Sequence, residues 1–153
     1  MNNFNLKEKR EKKAFLAFED GSVIHGYSVG ANADCTGEVV FNTGMTGYEE
    51  ILSDPSYAGQ IVVMTYTEIG STGINSADME SRQFFANGFI INNYNEPSNW
   101  RSQKSLKDEL VKNNIPCIAE VDTRALTIKL RNAGTLKALI SCSGNISEDE
   151  AVK

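Results

Sequence analysis

One histidine, His25, and one tryptophan, Trp100, are all the chain has of either type in 153 residues. No acidic or cysteine neighbour accompanies His25 in a motif, so a surface or core position is the simpler reading and a catalytic base the alternative. The cysteines Cys35, Cys117 and Cys142 are odd in number and lack C-x-x-C spacing. Neither a zinc site nor a disulfide framework is indicated, and reduced thiols fit a cytoplasmic chain. There is no excess of basic charge: the formal net charge is -5, which excludes unspecific nucleic-acid binding. No apolar run approaches the ~18 residues a membrane span needs. The opening MNNFNLKEKREKK has no apolar segment behind its basic residues, and Glu8 and Glu11 are out of place in a transit peptide. Residues 1–12 therefore read as a flexible, charged tail. Neither G-x-x-x-x-G-K-[ST] nor G-x-G-x-x-G occurs.

What is present is ordinary globular material, 41% hydrophobic and 23% charged, in a length that suits one domain. The most informative stretch runs from Gly37 to Tyr57. Glu38 to Phe41 combines β-branched and aromatic residues and predicts a strand. Asn42-Thr43-Gly44 and Thr46-Gly47 break it with glycines that allow positive φ or close approach of another molecule. Tyr48 to Leu52 then predicts a short helix with Thr46 as candidate N-cap, ended by Asp54-Pro55. A strand leading through glycines into a helix start exposes backbone N–H groups suited to a carboxylate or phosphate, although a plain connection has the same signature.

Taking the chain in order, Ala14–Glu19 and Val23–Tyr27 predict two strands around the Asp20-Gly21 hairpin turn, and residues 30–36 a loop. Gln60–Thr67 and Phe84–Ile91 predict strands, with Gly88 marking a bulge or a close approach. Residues 69–78 between them read as a long loop. Trp100 and Arg101 either anchor a partner or close the edge of the core. Ser105 to Asp108 has capping-box character, and Leu106, Leu110 and Val111 give the following helix its apolar stripe. Ile118–Val121 predicts a strand. A helix capped by Asp122 or Thr123 follows, carrying Ala125, Leu126, Leu130 and Ala133 and ending at Gly134. Leu136–Cys142 is the last strand, and the final residues open another capped helix. The fold class is α/β, mixed α+β, with strands in layers and helices to one side.

FNTGMTGYEEILSDPSYAGQIVVMTYTEIG, residues Phe41 to Gly70, closely resembles the amino-terminal domain of the small subunit of glutamine-dependent carbamoyl-phosphate synthetase. FLAFEDGSVIHGYSVG, PSNWRSQKSL and IAEVDTRALTIKLRNAG agree in order and spacing, so the resemblance covers Ala14 to Ile140. It implies a layered β/β/α "swivelling" domain at residues 13–143, with residues 144–153 starting a linker to a glutamine amidotransferase domain absent from this sequence. In that family the small subunit supplies ammonia from glutamine, and the large subunit uses bicarbonate, ATP and magnesium to make carbamoyl phosphate for arginine and pyrimidine synthesis. Glutamine hydrolysis there needs a Cys on a G-x-C-x-G elbow and a His oriented by a Glu. The segments ADCTG, IPCIA and SCSG around the three cysteines do not match, and His25 has no H-x-E partner.

The resemblance thus implies a chain with no catalytic residue, metal or cofactor of its own. Its implied partners are the large subunit and the amidotransferase domain, with neither nucleic acid nor membrane. Many relatives carry Ser at the Gly44 position, where the hydroxyl contacts glutamine. Gly44 is kept as the one candidate substrate-binding residue, acting through its backbone. Three readings compete: a non-catalytic assembly domain, a free-standing module binding a small anion at Gly44–Gly47, and an autonomous cysteine hydrolase, which the missing base disfavours. An assembly domain should expose an apolar patch where its neighbour packs.

Overall fold

β1 (Lys13–Phe18) and β2 (Val23–Ser28) form the antiparallel hairpin implied by Asp20-Gly21, in register from Lys13↔Tyr27 to Ala17↔Val23. The computed structural model describes residues 12–43, 48–65, 68–69, 84–94 and 106–151. The hairpin turn is tied down by charge. Asp20 Oδ1 accepts from the Ser22 hydroxyl (2.6 Å) and N–H (2.9 Å), and Lys129 Nζ lies 2.9 Å from Asp20 Oδ2. The same ammonium sits 5.1 Å from the centre of the Phe18 ring. The Ser22 hydroxyl, then Lys129, hold the Asp20 carboxyl well below the usual carboxylate range.

β3 (Asp34–Asn42) is longer than its sequence suggests, because Asp34 and Gly37 are weak strand formers. Pairing overrides that weakness. Its first part runs antiparallel to β9 (Leu136–Ser141), from Asp34↔Ser141 to Val39↔Leu136, and its second part runs parallel to β4 (Gln60–Met64). β4 continues parallel to β6 (Gly88–Ile90), and β6 to β8 (Cys117–Ala119). β8 meets β2, and β9 returns to β1, so seven strands close in the order β1-β2-β8-β6-β4-β3-β9. The mixed α+β single domain expected from the sequence takes the form of a closed barrel. β5 (Glu68–Ile69) and β7 (Asn93–Tyr94) make a separate parallel pair.

The strand alternation sorts the apolar residues into two cores. Leu16, Phe18, Val39, Ile61, Val63, Ile90, Ile118 and Ile140 come from strands all around the barrel and fill it. Val62, Met64, Phe89 and Ala119 point outward, under Leu52 of α1 (Tyr48–Ser53) and Leu106 and Leu110 of α2 (Leu106–Lys112). The α2 stripe is Leu106, Glu109 and Leu110, whereas Val111 is exposed. Position 111 falls about 150° around the helix from the centre of that stripe, so it faces away from the core. Ser105 lies outside the described residues; within the first turn, Lys107 N donates to the Tyr94 hydroxyl (3.4 Å).

α3 (Thr123–Ala133) starts where Asp122 accepts from Ala125 N (3.0 Å) and ends at Gly134, φ 79°. Its buried face is Thr123, Leu126, Thr127 and Leu130, while Ala125 and Ala133 are exposed. Leu126 and Leu130 join the barrel's inner core, each contributing on the order of 2 kcal/mol. α4 (Glu148–Ala151) packs against β1. Phe84–Ala86 do not extend β6 but run back to α1, where Phe85 N donates to Leu52 O (2.7 Å). β4 likewise stops at Met64, and Thr65 N donates to Asn42 O (3.0 Å) instead.

β8 is held by short ladders on both sides, and with β2 it shares only the pairs Tyr27↔Ala119 and Ser28↔Ile118. A Cβ on Gly26 would lie 2.4 Å from Ala119 O, and one on Gly30 2.5 Å from Ile115 O. Gly88 is also a close approach, but onto the side chains of Cys35 and Ile140. Gly26→Ala should therefore force the seam apart and lower stability by about 2 kcal/mol, the usual scale of overpacking. Chemical denaturation followed by circular dichroism measures this, and an unchanged midpoint would contradict the seam.

Candidate functional site

β3, β4, β6 and β8 are successively parallel, so their carboxyl ends lie at one end of the barrel. β1 points the same way, since both it and β3 run antiparallel to β9. Ligands of parallel sheets gather at such ends, where connecting loops leave the rigid strands. The rim here is edged by Asn42 and Thr43 at the end of β3, by Thr65 after β4, and by Glu120 and Asp122 leading into α3. Thr65 staples two of these ends together, its N–H and its hydroxyl (3.3 Å) both donating to Asn42 O. Gly44 lies outside the described residues, immediately after Thr43; Thr46, Trp100 and Arg101 also fall outside them.

Beside the rim, the Arg131 guanidinium of α3 stands 5.5 Å from the centre of the exposed Phe41 ring. At the opposite end, Asp34 gathers the chain that leaves β9. Its carboxylate accepts from Cys142 N (3.1 Å), Ser143 N (3.2 Å) and the Ser143 hydroxyl (2.6 Å). Burial pushes the Asp34 carboxyl up, but the Ser143 hydroxyl and these N–H groups outweigh it and hold it below its ordinary value.

The thiols are in the wrong state for nucleophiles. Burial pushes Cys35 up to about 12, Cys117 well above its usual value, and Cys142 in the same direction. A catalytic cysteine needs the reverse shift, produced by a nearby cation or helix start. Cys142 Sγ is instead hydrogen-bonded to Cys117 O (3.8 Å). His25 is exposed on β2, and its Nε2 is hydrogen-bonded to Glu148 Oε1 of α4, an acidic partner 123 residues away in the chain. Sequence could not supply that partner, because no local motif links the two. A cavity of about 330 Å³ opens on the flank of the β2–β8 seam, lined by Lys13, Ala14, His25, Gly26, Tyr27 and Glu120. Among the described residues no cluster of three or more His, Cys, Asp or Glu side chains suits a metal ion. None of the described helices is long and apolar enough to cross a membrane.

Fold and site together define a single mixed α+β barrel domain with two buried thiols, a half-buried third and a polar rim at its parallel-strand ends. Residues 16–140 match the family described as carbamoyl-phosphate synthase small chain, CPSase domain. The chain belongs to that family, as the amino-terminal domain of the small chain. A protein of Aquifex aeolicus named carbamoyl phosphate synthase small chain is 54% identical over 131 residues, which are 85% of this chain and 35% of that protein. One of Thermotoga maritima with the same name is 53% identical over 143 residues, 93% of this chain and 36% of its own length. The chain thus spans about a third of the length of these relatives. Among solved structures, an aminopeptidase from Aneurinibacillus sp. strain AM-1 overlays 86% of this chain and 30% of its own with a TM-score of 0.48 at 18% identity.

The thiol environment gives a pH dependence with a definite sign. Because burial raises the native values, alkylation of the folded protein by iodoacetamide should stay slow through pH 10 and accelerate only towards pH 12 for Cys35. In denaturant all three should react as ordinary thiols, around pH 8.5. A native thiol that reacts rapidly at pH 7, read by mass spectrometry, would contradict this.

Proposed function

We propose that this chain is the non-catalytic assembly part of a glutamine-dependent carbamoyl-phosphate synthase. It docks the large chain and packs beside an amidotransferase domain that releases ammonia from glutamine. The ammonia serves carbamoyl phosphate synthesis, feeding arginine and pyrimidine formation in the cytoplasm. ATP and magnesium belong to the large chain in this reading. Gly44 lies beside the glutamine pocket and offers its backbone N–H or C=O in place of a hydroxyl. The observation that carries the proposal is the continuous match over residues 16–140, with relatives above half identity that bear the small-chain name.

The protonated thiols argue against an autonomous cysteine hydrolase, since none offers the thiolate that attack on glutamine requires. Between the assembly domain and a free-standing anion-binding module, the exposed Phe41 and Ile128 favour assembly.

Mixing this chain with the separately produced remainder of a small chain and with a large chain tests the proposal. Glutamine-dependent carbamoyl phosphate should appear in the three-part mixture and be absent when this chain is left out. A mixture equally inactive with and without it overturns the assembly reading.

A further inference from the structure

We infer that the outer face of the β1–β2 hairpin, around the cavity at His25, is the surface on which the remaining part of the small chain packs. The inference rests on the assembly reading above, which needs such a part without saying where it sits. Its starting point is the path of the chain after β9. Asp34 holds Cys142 and Ser143, and the Ser143 hydroxyl accepts from Asn145 N (3.1 Å). α4 then lies against β1, its turn closed by the bond from Ala151 N to Ser147 O (3.1 Å). A helix of four residues has no stability of its own. Packing on β1 and the hydrogen bond between Glu148 and His25 are therefore what seat it.

That seat selects the occupant. Glu148 and Ala151 lie within one helical turn, ~5 Å, of each other, so polypeptide that follows Ala151 begins close to His25. The chain is the amino-terminal domain of a small chain and spans 35% and 36% of the relatives of Aquifex aeolicus and Thermotoga maritima. In a chain of their length the larger part departs from this face.

The face has the room and the chemistry to receive it. Ala14, Leu16 and Phe18 point into the barrel, so Lys13 and Phe15 alternate to the outside. Tyr27 and His25 stand opposite them on β2. Phe15 and Tyr27 are only half-buried. The cavity of about 330 Å³ opens where β2 and β8 part beyond their two pairs, with Ala14, Gly26 and Tyr27 in its wall. Those groups suit an apolar side chain, and the exposed Lys13 beside them suits a carboxylate or a main-chain carbonyl. An apolar recess with a charged edge is the make-up of a surface that packs against another polypeptide.

Side-chain labelling tests the inference, with this chain free and fused through its last residue to the remainder of the Thermotoga maritima small chain. An N-hydroxysuccinimide ester labels the lysines, diethyl pyrocarbonate labels His25, and mass spectrometry reads both. In the fusion, Lys13 and His25 should label about fivefold or more slowly than in the free chain, as side chains shut off from water by an interface do. Lys112, exposed on α2, should keep its free-chain rate. Iodoacetamide alkylation of Cys117 and Cys142 no faster than in the free chain reports that the barrel of the fusion is intact. Labelling of Lys13 and His25 at the free-chain rate overturns the inference. Protection that appears only when a large chain is added also overturns it, making the large chain the occupant. Glutamine-dependent carbamoyl phosphate formation by the same fusion with a large chain is measured separately. Its loss counts against the assembly reading, and its presence without protection overturns the inference alone.

Discussion

The approach of β2 to the segment running into β8, with only hydrogen atoms at Gly26 and Gly30 to separate them, is the contact on which the barrel depends. Side chains there would collide with the carbonyls of Ala119 and Ile115, and the sheet would stay open along the three-residue β8. Backbone bonds from Val29 N to Cys117 O (3.0 Å) and Ala31 N to Ile115 O (2.9 Å) extend the seam beyond the two ladder pairs. Closure removes sheet edges that would otherwise invite pairing with other chains. It also fixes the carboxyl ends of five strands at one end, where a loop can be presented from a rigid base.

Two carboxylates then hold the ends of this barrel. Asp20, through Ser22 and Lys129, ties the β1–β2 turn to α3 at the end where the parallel strands finish. Asp34 ties the chain beyond β9 to the start of β3 at the other. Both join segments more than 100 residues apart, so each closes a long loop whose entropy the folded state must offset. The polar chemistry among the described residues is thus largely spent on holding the framework. That suits a domain whose contribution is position rather than bond breaking.

Much of the fold could be read from the chain because local and global preferences agree there. The hairpin at Asp20-Gly21, the helix from Asp122 to Gly134 and the apolar run Ile61–Met64 all carry their own signals. The early start of β3 at Asp34 did not show, because pairing with β9 rather than propensity makes it a strand. Barrel closure was hidden for a similar reason: nothing local to Gly26, in a predicted strand, or to Gly30, in a predicted loop, says which distant carbonyl packs against it. Gly44 stood out first as a glycine breaking the strand pattern and then by resemblance, and it lies outside the described residues. The Arg131–Phe41 patch left a trace in the i, i+4, i+7 spacing of Arg124, Ile128 and Arg131, but the ring beneath it comes from a strand some 90 positions earlier. The Glu148 partner of His25 is likewise a product of the fold alone.

A closed barrel, thiols held protonated and a cationic apolar face accord with the assembly role we propose. The most direct test is to incubate the purified chain alone with glutamine and follow ammonia release with a coupled dehydrogenase assay. This account predicts no ammonia above the buffer rate at any pH between 6 and 9. Turnover that co-purifies with the chain and is abolished by substituting Cys35, Cys117 or Cys142 would contradict it.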